Sequence, residues 1–461
     1  MSESGKLREN HVNNEPSRGK TPGYQYTPSV HKKKNTRSNT WYGLDNAANL
    51  FPAISNDRNT NVFRISCELH ENIDKTLLQQ ATDKAMRSFE YFQTIMRRGL
   101  FWYYLELTDQ TPQVKVESER PCTRIFYSNV KELLFEITYY GKRINLEVFH
   151  AIADGGGALE LMRTIVYNYI VMAHHDDLPD RLPPLDRTAP PAHMAEDSFE
   201  HHYDPKERQS PFRKKCYTIS GTALPSNSVQ IIGASMPTKQ ILALAKSKKV
   251  TVTAYLSALM ICSIYDGLMP RRLSQRSIGV NIPVDLRSHF KSETARNFFS
   301  VVDVSYNFEG RPAVFEDVLA SVSDQLTDSL DPAKLAKRIN YNMSVQKNFF
   351  TGVTPLVLKN LILRAAYHKA EAATTCAVSN MGRIRMPEPF VKYIHSFHCL
   401  LNPTAPHKVK ACVSSFEDQF VINFTSCIAE TKAQKYFLRH LSAEGIDITL
   451  TCNGGYDIET V

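Results

Sequence analysis

Hydrophobic positions along the chain fall into two rhythms. Residues 62–69, VFRISCEL, read as a strand, and Ile73, Leu77, Leu78, Ala81, Ala85, Met86 and Phe89 recur at helical spacing. The stretches FWYYLEL, LFEITYY and INLEVFH follow as short, β-rich, alternating segments. After three glycines, ALELMRTIVYNYIVMA is apolar enough for a buried helix. Strand, helix, several strands, helix predicts an α/β fold with a mixed, mainly antiparallel sheet.

The rhythm stops at residues 174–215, which are rich in proline and charge and read as a connection between two halves. The same grammar then returns. SVQIIGASM reads as a strand, TKQILALAKSKK and VTAYLSALMICSIYDGL as helices, and SIGVNIPVDL and SVVDVSYNF as strands. Long helices are expected between about 314 and 369. The segments TTCAVSNMG, IHSFHCLL, KACVSSF and FVINFTS follow as strands, and AETKAQKYFLRHLSAEG as a last amphipathic helix. The expected organisation is a tail over 1–38, a first α/β domain over 39–173, the connection over 174–215 and a second α/β domain over 216–461.

Composition narrows the function classes. The 461 residues are 42% hydrophobic and 22% charged, which excludes a wholly disordered or fibrous chain. No uninterrupted run of 18 apolar residues occurs, so no transmembrane helix is expected. The first residues lack an apolar secretory core, and the nine cysteines form no CxxC pair; together these predict reduced thiols in a cytoplasmic protein. Residues 1–38 carry eight basic and three acidic side chains, a net +5 of the chain's +8, and show no apolar period. They read as a disordered basic tail. No motif supports nucleic-acid binding.

The stretch LEVFHAIADGGGALEL, residues 146–161, concentrates the candidate chemistry. A strand ends at His150, and Asp154 and Gly155 complete an HxxxDG spacing before a helix. A histidine at a strand end is rigidly aimed, and imidazole can take a proton at neutral pH. The glycines allow close backbone approach or left-handed backbone. The residues alone leave two readings of His150, a general base or a hydrogen-bonded core histidine, with Asp154 capping the next helix in the latter.

Residues 41–461 resemble the superfamily of chloramphenicol acetyltransferase, plant BAHD acyltransferases, condensation domains of peptide synthetases and alcohol acetyltransferases. The carriers are HAIADGGG (150–157), NIPVDLR (281–287) and SNMG (379–382), with YGLDNAANLFPAI (42–54) and VTVTAYLSALM (250–260) most similar to alcohol acetyltransferases. Condensation domains usually carry a second histidine just before the motif, where this chain has Phe149; plant enzymes carry DFGWG where this chain has SNMGRIRMP.

The resemblance implies two chloramphenicol acetyltransferase-like domains with a tunnel between them, entered by donor and acceptor from opposite faces. It implies a standalone CoA-dependent acyltransferase with no permanently bound cofactor and no metal, with acyl-CoA, such as acetyl-CoA, as co-substrate. The acceptor would be a small alcohol or amine. His150 would be the base, Asp154 and Arg287 a bidentate structural pair beside Gly155, and Ser379, Asn380 and Gly382 the second motif, with Ser379 or Asn380 supplying oxyanion donors. The alternatives are a condensation-type enzyme drawing its acyl group from a carrier protein, and a non-catalytic binding protein of the same fold.

Other residues carry less. His174, His175, His201 and His202 lie in the polar connection without spaced metal ligands and are expected as solvated loop. Cys376 and Cys399 sit among apolar neighbours and are expected as buried structural thiols. A chain beginning at Asn39 should keep its melting temperature and its turnover with a small acceptor. Loss of either, measured against the full chain, would show that the tail docks on the body.

Overall fold

The computed structural model describes residues 40–453, apart from 119, 187–188, 209–214, 226–227, 274, 310–311, 313 and 349–352; the expected tail lies outside the described residues. Residues Asn39–Val461 form one compact unit. Two main sheets organise it. The first has five strands in the order β12 (Ile394–Leu401), β2 (Val62–Leu69), β7 (Arg143–Phe149), β6 (Phe135–Tyr140) and β5 (Lys115–Val116). The second has seven, in the order β10 (Phe299–Tyr306), β9 (Ile278–Asp285), β11 (Cys376–Arg383), β13 (Val409–Phe416), β14 (Gln419–Ser426), β8 (Gln230–Pro237) and β15 (Thr449–Cys452). A small third sheet orders β1 (Trp41–Gly43), β4 (Tyr103–Leu107) and β3 (Thr94–Arg98). Only β9–β11, β11–β13 and β5–β6 pair in parallel among the described strands.

The sheets do not follow the expected 39–173 and 216–461 division strand for strand. β12, from the second half of the sequence, pairs antiparallel with β2 from Leu401↔Phe63 to Ile394↔Leu69. It also meets the second sheet: the Ser414 hydroxyl donates to the Phe397 carbonyl at 2.7 Å, and the Thr425 hydroxyl to the Leu401 carbonyl at 2.6 Å. The strands β1, β3, β5 and β15 were not expected; all four are short, and burial along three of them is too partial to leave a clear apolar alternation.

Each sheet has its own core. Helices Lys75–Met86 and Gly155–Ala173 pack together, the latter also on β2 and β7. The Gly155–Ala173 helix buries Leu161, Ile165 and Ile170 completely, each worth about 1.5–3 kcal/mol of apolar transfer. In the second core the Val252–Leu268 helix packs against helices Phe315–Ser329 and Lys432–Ala443 and against β9. No single described helix is long and apolar enough to cross a membrane. None of the nine cysteines is in a disulfide, and seven, Cys376 and Cys399 among them, are buried.

The helix after the HxxxDG turn starts at Gly155, three residues before the expected Ala158, so the glycines form its first turn. Their backbone is not left-handed; positive φ occurs at Gly141, Gly382 and Gly445 instead. What they supply is close approach. A Cβ on Gly157 would lie 1.8 Å from the Ala295 carbonyl oxygen, while one on Gly155 would meet only the end of the Met381 side chain, at 3.0 Å. Gly157→Ala should therefore cost about 1–3 kcal/mol or more in chemical denaturation. Gly155→Ala should cost clearly less, because the Met381 tip can move; equal losses would contradict this packing.

Candidate active site

His150 follows the end of β7 and lies between Phe63 of the first sheet and Phe299 of the second. The His150 backbone N–H bonds the Asn61 carbonyl at 2.9 Å, which fixes the ring's root on the neighbouring segment. The imidazole is partly buried. It stacks on Phe51 with centroids 4.5 Å apart and 21° between planes, takes the Phe63 edge at 5.0 Å and lies 5.3 Å from the Phe299 ring. Its Nδ1 lies 3.0 Å from the Asn297 side-chain oxygen. Burial lowers the His150 pKa from its ordinary value, opposed by the Asp154 charge and the Asn297 hydrogen bond. The ring is thus kept neutral, the form that accepts protons.

Asp154 combines two roles that the sequence set apart. Oδ1 accepts from the Gly157 N–H at 2.9 Å and caps the helix. Oδ2 accepts from Arg287 Nη1 at 2.9 Å and from the Phe298 N–H at 2.7 Å. The expected bidentate fork is absent: one guanidinium nitrogen, Nη1, serves Asp154 and also Asp285, at 2.9 Å. The other two nitrogens are spent on backbone, with Nε bonding the Thr294 carbonyl at 2.9 Å and Nη2 the Arg296 carbonyl at 2.6 Å. Arg287 therefore fastens the 294–298 loop rather than the carboxylate alone. Gly156 leaves room for this, since a Cβ there would lie 3.0 Å from Arg287 Nη1.

The second motif sits within β11. Its pairing with β13 shifts register between Asn380 and Arg383, a bulge at which Gly382 adopts φ +71°. Side chains alternate along a strand. Ser379 pairs with Cys412, which packs in the first core, whereas Asn380 pairs with Val413 of the second. The Asn380 amide bonds the Thr253 hydroxyl at 3.0 Å and accepts from the Gly382 N–H at 2.8 Å. Ser379 thus shares the His150 side of the sheet, and Asn380 braces the bulge from the other side.

The 174–215 histidines differ from the solvated expectation in part. His174 bonds Glu71 at 2.6 Å and stacks on Tyr393 at 4.0 Å, and His202 stacks on Phe298 and bonds the Lys291 carbonyl at 3.1 Å. His175 and His201 are exposed. No group of three or more potential metal ligands occurs among the described residues. The connection backs the 294–298 loop: the Ala295 N–H bonds the Met194 carbonyl at 2.9 Å and the Thr294 hydroxyl the Glu196 carbonyl at 2.6 Å.

Four neighbours of His150 were missed in the sequence, Phe51, Phe63, Asn297 and Phe299, as was Asp45, which lies behind Asn297. Asp45 and Phe51 lie in YGLDNAANLFPAI, which was noted for its resemblance and not for chemistry. Asn297 and Phe299 lie in ARNFFS, where nothing local marks them.

Known proteins share this architecture. The family model of alcohol acetyltransferase matches residues 188–393. No curated protein matches the chain. Among solved structures, F. graminearum TRI101 complexed with coenzyme A and T-2 mycotoxin is 11% identical, covering 89% of this chain and 99% of its own at a TM-score of 0.61. Polyketide synthase associated protein 5 from Mycobacterium tuberculosis is 14% identical, with 87% and 96% covered and a TM-score of 0.55. The first condensation domain of the CDA synthetase is 13% identical, with 88% and 97% covered and a TM-score of 0.56. The chain has the chloramphenicol acetyltransferase-like fold that these acyltransferases and condensation domains share.

Asp154 and Arg287 are both almost fully buried. Arg287→Ala leaves Asp154 buried without its cation and should cost roughly 3–5 kcal/mol; Asp154→Ala should cost less, because Arg287 keeps Asp285 at 2.9 Å. The double variant should cost less than their sum, because both act on one loop. Additive losses in a double-mutant cycle would show that the pair is not coupled.

Proposed function

We propose that this protein transfers an acyl group, acetyl in the simplest case, from a coenzyme A thioester to a small alcohol or amine, with His150 as the general base. The alcohol acetyltransferase match and the shared acyltransferase fold support the class. The observation that carries the residue assignment is the His150 ring itself. Its Nδ1 is engaged by an amide oxygen, which leaves Nε2 as the nitrogen free to take a proton.

In this reading Nε2 removes the proton from the acceptor as its oxygen or nitrogen attacks the thioester carbonyl. The tetrahedral oxyanion needs donors, and Ser379, on the His150 side of β11, is the candidate hydroxyl. The C–S bond then breaks, and the imidazolium returns its proton to the departing thiolate. No covalent acyl-enzyme is required. Asp154 and Arg287 act on the scaffold, since the Asp154 carboxylate is fully engaged by Gly157, Arg287 and Phe298.

His150→Ala should leave the fold intact and lower thiol release from acetyl-CoA by at least ~10², measured across a panel of primary alcohols and aliphatic amines. A folded variant with near-normal turnover would overturn the assignment of the base.

A further inference from the structure

The Asn297 amide that meets His150 is itself held from behind. Its Nδ2 lies 3.1 Å from Asp45 Oδ2. Asp45 is completely buried, and its other oxygen accepts from the Ala48 N–H at 2.8 Å. Arg296, the residue before Asn297, sits 3.8 Å from the same Oδ2 through Nε and reaches the Gly43 carbonyl through Nη2 at 2.6 Å. One short peptide thus grips the Gly43–Asp45 segment with a guanidinium and an amide. Asp45 and Asn297 are far apart in sequence, and His150 lies between them.

Donor and acceptor accounting fixes the direction of the chain of bonds. Asp45 in its ionised form, which the neighbouring Arg296 favours, only accepts, so the Asn297 NH2 then faces Asp45 and its carbonyl oxygen faces His150. An acceptor opposite Nδ1 requires Nδ1 to carry the proton, which leaves the Nε2 lone pair bare. The geometry points to Asp45 and Asn297 as a positioning relay that sets the tautomer of His150. Asp154 is spent elsewhere, and the carboxylate that orients the histidine is Asp45, acting through an amide. This rests on the reading of His150 as the base.

Burial pushes the Asp45 carboxyl up to about 7, while Arg296, 3.8 Å away, opposes this and favours the ionised form. Asp45→Asn is nearly isosteric, yet it cannot reproduce both bonds. If the new amide's oxygen keeps the Ala48 N–H, its NH2 faces the Asn297 NH2, and Asn297 must invert. The inverted Asn297 amide then presents its NH2 to Nδ1, which selects the Nε2–H tautomer and blocks the base. If the substituted side chain turns the other way, the Ala48 N–H loses its acceptor instead.

The test uses the full chain with acetyl-CoA and the same acceptor panel, together with two-bond ¹H–¹⁵N spectra of the histidine rings, assigned by comparison with His150→Ala. The wild-type protein should show His150 protonated at Nδ1, a reading that needs no variant to fold. Asp45→Asn should lower kcat by about 10²–10⁴, the range for loss of a correctly presented base. It should leave the KM for acetyl-CoA nearly unchanged, keep the melting temperature, and weaken or lose the Nδ1–H signal. Asn297→Ala should lower kcat similarly. The relay is overturned if wild-type His150 carries its proton on Nε2, or if Asp45→Asn keeps both kcat and the Nδ1–H signal while His150→Ala is inactive. Near-normal turnover by His150→Ala would instead overturn the base assignment beneath it.

Discussion

The carboxylate of Asp154 is the point on which the two sheets are registered. One oxygen caps the start of the helix that follows β7, and the other holds Arg287 and the Phe298 N–H. Arg287 carries the connection onward to the Thr294 and Arg296 carbonyls. The 294–298 loop is thereby pinned on both sides of Asn297, the residue that meets His150. Asp154 is therefore linked to the histidine's partner, through Arg287 and the 294–298 loop, without touching the ring itself. Buried charge pairs add little net stability, because desolvation offsets attraction, but they are demanding about geometry. That suits a joint between sheets, where an error of an ångström would be carried directly to the site.

Much of the fold was legible because it obeys local periodicity. The 62–69 strand, the apolar 252–268 helix and the strands of the second half are visible as alternation or as helical spacing. The order of strands in the sheets was not legible, since β12 joins β2 through backbone hydrogen bonds that no side-chain pattern announces. The site divides in the same way. His150, Asp154 and Gly157 lie within eight residues of one another and share one turn, so their spacing could be read. Asp45 and Asn297 meet only through tertiary structure, and each alone looks like an ordinary loop residue. The expected pair of Asp154 and Arg287 was half visible: the partners could be named, but not that Arg287 would give most of its donors to backbone.

Fold alone does not decide among acyl transfer to small molecules, condensation on carrier proteins and binding without chemistry. The position just before the motif bears on the question. Phe149 is fully buried and stacks on Phe126 at 5.0 Å, with 14° between the rings. It is a core residue, and the histidine found there in condensation domains would have to be accommodated in that apolar stack. The aromatic enclosure of His150 by Phe51, Phe63 and Phe299 points the same way. It builds an apolar setting that favours the neutral form of a single imidazole.

The crossing of β12 into the first sheet also has a consequence for biosynthesis. While the chain is being made, residues 62–149 emerge long before 394–401, so the β2 edge has no neighbour until residue 401 has left the ribosome. An unpaired edge is a template for pairing with other chains. The late partner also closes a very long loop, which slows folding. Truncation near residue 390 would therefore remove more than a terminal piece: it would strip an edge from the sheet that carries His150, and leave nascent chains dependent on whatever shields that edge in the cell.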